Sequence, residues 1–150
     1  ARRMIENGVV RKIAANMTPD RASQIREHLE REHQAHHAGD HRAAIILSGE
    51  FHLLLARLAG NLVIEEFLER LILRSSLIIA MYESPQPVDC SHSEHESLLN
   101  ALLGGDPDLA AAEMAKHLDA IRDRLQLQRP KPAKTDFASI FGRNPKSVAS

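Results

Sequence analysis

The amino-acid sequence predicts an all-α protein, an antiparallel bundle of six to seven helices. Three observations carry this. Apolar residues recur at helical spacing along most of the chain, no stretch alternates as a strand would, and cap-and-stop signals cut the chain into helix-length segments.

The first helix runs from about Arg2 to Asn16, with Ile5, Val9 and Ile13 on one stripe. Thr18-Pro19-Asp20 supplies an N-cap followed by proline at the first helical position. The second helix then extends to about Ala38 with a thin apolar face of Ala22, Ile25 and Leu29. Gly39 stops it, and Asp40 caps a third helix from about His41 to Ala59, whose core face is Ile45, Leu47, Phe51, Leu54, Leu55 and Leu58. Gly60 stops that helix and Asn61 caps a fourth, reaching about Glu83 and apolar on most sides. Such a helix is either central or shared with a second subunit. After the break at Ser84-Pro85-Gln86-Pro87, a fifth helix spans about Ser93 to Leu103 and ends at Gly104-Gly105. Asp106-Pro107 repeats the cap-plus-proline signal and opens a sixth helix to about Gln128.

One domain is therefore expected over residues 1–128. A linker and tail follow over 129–150, beginning at Pro130-Lys131-Pro132 and carrying a small apolar patch of Phe137, Ile140 and Phe141. The 150 residues suffice for one real core. A net charge of -1 lacks the basic footprint of a domain that itself grips DNA, and the absence of Trp argues against base-stacking platforms. The single cysteine, Cys90, excludes an internal disulfide and is read as structural. No apolar run approaches the roughly 20 residues needed to span a bilayer, and Ala1-Arg2-Arg3 has no signal-peptide pattern. The expectation is a soluble cytoplasmic protein with no membrane partner.

Three histidines stand out because each falls on the apolar side of its own helix. His52 has Ser48, Leu55 and Ala56 one turn away; His95 shares a face with Leu98, Leu99 and Leu102, with His92 one turn before it; His117 stands with Met114 and Ile121, with Glu113 one turn before it. An imidazole turned into a core needs its nitrogens satisfied by hydrogen bonds or by a metal. The pattern leaves both readings open, three hydrogen-bonded core histidines or one three-histidine metal centre. His28, His33, His36, His37 and His41 are read as a solvated helix face.

The phrase SGEFHLLLARLAGN (Ser48 to Asn61), followed by SEHESLLNALLGGDPDLAAAEMAKHL (Ser93 to Leu118), resembles the FCD domain. That is the C-terminal effector-binding domain of FadR-type GntR transcription regulators, and ARRMIE (Ala1 to Glu6) resembles its opening helix. The resemblance covers about residues 1 to 128. It implies a dimeric bundle of six or seven helices with a pocket for a small organic acid, often beside a divalent metal. By position it assigns the metal to His52, His95 and His117, with Zn or Ni as the expected ion. Ser48 stands where the family's ligating aspartate is found. A neutral hydroxyl is a poorer ligand, so a water or an effector carboxylate fills that vertex, or the metal has been lost.

Arg2 matches the arginine of the opening helix and Arg74 lies within apolar helix four; with Ser48 they are the candidate effector-binding residues. Salt bridges or solvated positions are the ordinary alternative for both arginines, and capping explains Asn61. The family's winged helix-turn-helix has no counterpart in this sequence, so operator DNA is expected to be bound by a longer parent protein. The function so read is that of a ligand-sensing and homodimerising domain of a bacterial regulator, not an enzyme. The alternatives are a dimerisation module with a vestigial pocket and a metal-dependent enzyme, for which Glu113 is the one candidate base.

Overall fold

A computed structural model describes residues 1–82 and 89–125, with side chains in the second segment described from residue 93. It contains α1 (Arg2–Ala14), α2 (Pro19–His37), α3 (His41–Leu58), α4 (Leu62–Tyr82), α5 (Asp89–Leu103) and α6 (Pro107–Arg124). Every described element is a helix, as the periodicity predicts. The Cys90 and His92 side chains, the tail with Phe137, Ile140 and Phe141, and the domain limits at 128 and 129 lie outside the described residues.

The boundaries follow from local chemistry. Thr18 Oγ1 accepts from the Arg21 N–H, Asp40 Oδ1 from Ala43, Asn61 Oδ1 from Val63 and Ile64, and Asp106 Oδ1 from Asp108 and Leu109. Gly39, Gly60 and Gly105 sit at φ of 68°, 69° and 69°, the left-handed conformation that closes a helix without a Cβ penalty. The α5 helix starts four residues before the expected Ser93, because the apolar stripe begins only near His95 whereas helical backbone continues through the polar turn ahead of it.

Packing runs as a ring: α1 lies on α6, α6 on α5, α5 on α2, α2 on α3 and α3 on α4, and α1 closes the circuit against α4 while also touching α3 and α5. The core inside it comprises Val10, Ile13, Ile25, Phe51, Leu55, Leu68, Leu98, Leu102 and Met114, with smaller side chains between. Arg3 clamps α1 to α6 through both Asp119 oxygens, at 2.8 and 3.1 Å. Ile45, Leu47, Leu54 and Leu58 are only half-buried, and Ala44, Gly49, Ala56 and His52 take interior places beside Phe51 and Leu55. Helix α4 is not central. Only Leu68 and Ile72 are buried, and its outward side exposes large apolar residues. No described helix is long and apolar enough to cross a membrane, since α4 also carries Glu65, Glu66, Glu69, Arg70 and Arg74.

Two glycines give opposite expectations. A Cβ on Gly49 would lie 3.0 Å from Ser76 Oγ and 3.1 Å from Ile72 Cγ2, where α3 and α4 approach closely, whereas one on Gly8 would meet nothing within 4 Å. Gly8→Ala is expected to raise stability by about 0.5–1 kcal/mol through helix propensity. Gly49→Val is expected to lower it by about 1–3 kcal/mol by wedging the two helices apart. Urea denaturation of both variants checks this.

Candidate metal centre

The three singled-out histidines come from α3, α5 and α6, and all three are buried at 2% exposure or less. Their Nε2 atoms converge: His117 Nε2 lies 3.1 Å from His95 Nε2 and 3.2 Å from His52 Nε2. One ring nitrogen from each falls within 4.8 Å of the other two.

The opposite nitrogen of each ring meets a carboxylate. Glu32 Oε2 on α2 lies 2.9 Å from His95 Nδ1, and Glu94 Oε2 on α5 lies 2.7 Å from His117 Nδ1. Glu6 Oε2 on α1 lies 2.6 Å from His52 Nδ1, in close contact but off the ideal N–H direction. A carboxylate beside Nδ1 places the ring proton there and leaves the Nε2 lone pair facing inward. Phe51 stacks on the His95 ring at 4.0 Å and 20°, which limits its rotation.

Three inward lone pairs this close repel unless a cation sits among them. Imidazole nitrogens about 2.0–2.1 Å from one ion are about 2.8–3.4 Å apart in octahedral or tetrahedral arrangements, a range that includes both of these separations. The donor set and its outer carboxylates therefore fit a divalent transition metal.

Two arginines hold the outer carboxylates. Arg2 Nε donates to Glu6 Oε1 at 2.6 Å, and Arg124 Nη1 donates to Glu94 Oε1 at 2.9 Å. Arg2 thus joins the centre through Glu6. Ser48 is half-buried one turn before His52. Arg74 is exposed on α4 and is not brought to the imidazoles. Glu113 lies 3.6 Å from Lys116 Nζ, on the helix surface.

Sequence reasoning missed Glu6, Glu32, Glu94 and Arg124. A signal existed for Glu32, which continues the α2 stripe of Ile25 and Leu29 at helical spacing, and for Glu94, the neighbour of His95. His28 corrects the solvated-face reading. It is 3% exposed, donates Nε2–H to the Leu47 carbonyl at 2.8 Å and accepts at Nδ1 from Arg31, pinning α2 to α3. It too lies on the α2 stripe, which made it legible as interior. His33 and His36 are half-buried, and His37 and His41 exposed.

The family model of the FCD domain matches residues 1–120. The chain belongs to the FCD domain family. It is 29% identical over 113 residues to a probable D-xylose utilization operon transcriptional repressor of Paenarthrobacter nicotinovorans, covering 75% of this chain and 50% of the relative. A Streptococcus agalactiae GntR structure aligns with a TM-score of 0.67 at 24% identity, covering 81% of this chain and 54% of that one. McbR/YncC of E. coli aligns with a TM-score of 0.68 at 22% identity, covering 81% and 64%. The two structures share the fold, and this FCD domain spans about half the length of the curated relative.

Burial pushes His52 down to about 3, with Arg2 and His117 adding to it and Glu6 opposing. Burial alone would raise Glu6, but its contacts with His52 and Arg2 outweigh that and bring it to about 2. Glu94 is likewise held below the usual carboxylate range, burial being outweighed by hydrogen bonds from His117 and Arg124. At neutral pH the His52 ring is therefore an uncharged donor beside ionised carboxylates.

The His52 and Glu6 values both move downward on folding. The stability they contribute is complete above the unfolded-state value and is lost as pH falls, from 6.5 toward 3 for His52 and from 4.5 toward 2 for Glu6. Each group imposes a slope of at most about 1.4 kcal/mol per pH unit. Denaturation midpoints of the metal-free chain are expected to fall between pH 6.5 and 5, and His52→Gln to flatten that fall.

Proposed function

We propose that this chain is the ligand-sensing and homodimerising part of a GntR/FadR-type transcription regulator, reading a small carboxylate-bearing metabolite at the three-histidine centre. The observation that carries the reading is the convergence of three buried Nε2 atoms whose opposite nitrogens all face carboxylates. Structural core histidines have no need to aim their acceptors at one another.

His52, His95 and His117 would hold a divalent ion, Zn or Ni by donor type, and Glu6, Glu32 and Glu94 orient them. When bound, the ion supplies a Lewis-acidic anchor with positions left for exogenous oxygen ligands. Ser48 contributes a neutral hydroxyl beside His52, so an incoming carboxylate meets no fixed ligand charge from that side. Arg2, already engaged by Glu6, adds positive charge behind the centre. Arg74 is left out of this pocket because it is exposed on α4.

The carboxylates closest to the imidazoles are occupied at Nδ1, and Glu6 and Glu94 also pair with arginines. None is placed as a general base, so sensing is a better reading than catalysis. Effector binding then favours one arrangement of the subunits, and with it of the DNA-binding heads expected in the longer protein, by differential affinity. The likeness to the Paenarthrobacter protein, a probable transcriptional repressor, supports this reading.

Calorimetric titration of the metal-free chain with Zn²⁺ and Ni²⁺ is expected to show one ion per chain, with binding abolished in His117→Ala. Glu32→Gln is expected to weaken binding by about 10–100-fold. A concentration of ion 100-fold above its dissociation constant should raise stability by about 2.7 kcal/mol. Small organic acids are expected to bind the loaded chain and not His117→Ala. Wild-type chain that takes up no ion, with stability unchanged in His52→Ala, would instead support a dimerisation module with a vestigial pocket.

A further inference from the structure

Helix α4 is about 30 Å long at the standard rise. Its inward side seats Leu68 and Ile72 in the core, while its outward side exposes Leu62, Val63, Phe67, Leu73, Leu77 and Ile78 by 40% to 81%. Residues 62, 63, 66, 67, 70, 73, 74, 77 and 78 lie on that one side by helical spacing. A row so apolar, running the length of a helix, is the mark of an interaction surface.

The order of residues along the row says what fits it. A twofold interface must be complementary to itself, because each contact occurs twice with the roles exchanged. In an antiparallel α4–α4 pair centred on Arg70, residue i faces residue 140 − i. Leu62 then meets Ile78, Val63 meets Leu77 and Phe67 meets Leu73, all apolar on apolar. The one remaining pair on the face is Glu66 with Arg74, opposite in charge. Arg70, at the axis, is already tied to its own Glu66 at 3.0 Å, which draws the two axial guanidinium groups apart. A shift of the pairing to 144 − i would set Arg70 against Arg74 and Glu66 against Ile78.

We propose that the occupant of this face is a second copy of the chain, paired antiparallel through α4 about Arg70, with Glu66 of each copy bonded to Arg74 of the other. This assigns a surface to the self-association included in the proposed function and depends on neither metal nor effector. It also gives Arg74 a partner away from the histidine centre.

Sedimentation of the full 150-residue chain over a concentration series tests it. Wild type is expected to dimerise. Arg74→Glu and Glu66→Arg are each expected to weaken the dimer about tenfold or more, because each places two pairs of like charges face to face. An equimolar mixture of the two variants restores opposite charges at both contacts and is expected to recover wild-type association. Both positions are exposed, so circular dichroism should show unchanged folding. In a Cys90→Ser background, Arg70→Cys is expected to form a disulfide-linked dimer under mild oxidation. A wild-type chain that stays monomeric overturns both this pairing and the self-association it rests on. A dimer indifferent to both reversals and to Phe67→Lys overturns the α4 surface alone. Weakening by each reversal without recovery in the mixture overturns the register.

Discussion

The contact of each Nδ1 with a carboxylate is the constraint around which this molecule is organised. Imidazole can present either nitrogen as its acceptor, and an unguided ring in a core would turn toward whatever donor lay near. Glu6, Glu32 and Glu94 remove that freedom by claiming the proton on the outer side. The inner nitrogens then have no choice but to face one another. The six residues involved come from α1, α2, α3, α5 and α6, so five helices must be in place before the cluster exists. Only α4 contributes nothing to it.

Burying this much polarity in a small bundle is costly unless the groups satisfy one another. Arg2 and Arg124 each neutralise one of the outer carboxylates, and their own heads reach toward the rim where the chain enters α1 and leaves α6. Glu32, the most enclosed of the three, lies against the His95 ring, which stacks on Phe51. For His52 beside Glu6, neutral imidazole and ionised carboxylate is the protonation pattern that burial and Arg2 together favour. It is also the pattern in which the nitrogens are ready to donate to a cation without first losing protons.

Much of the fold was legible because its punctuation is chemical and local. Thr18, Asp40, Asn61 and Asp106 cap where hydroxyl, carboxylate or amide oxygen precedes an apolar period, and Gly39, Gly60 and Gly105 take the backbone conformation other residues avoid. The core-facing placement of His52, His95 and His117 was legible for the same reason, since a helix face repeats every three or four residues. Their orienting carboxylates were not, because a glutamate on a helix defaults to solvent and only the meeting of different helices turns Glu6, Glu32 and Glu94 inward. His28 was misread through its neighbours: the polar company of His33, His36 and His37 hid its register with Ile25 and Leu29. For α4 the sequence offered a central or a shared position, and the burial of Leu68 and Ile72 alone along its length excludes the central one.

Glu6, one turn into α1, meets His52 on α3, and Arg124, the last residue of α6, meets Glu94 on α5, so two ends of the helical body are moored to one interior cluster. Arg3, near the start of α1, is fastened to Asp119 on α6. A strut anchored at its very tip cannot swivel freely. Any polypeptide joined ahead of α1 would take its heading from that corner of the bundle, and a small displacement of Glu6 would grow with distance along it.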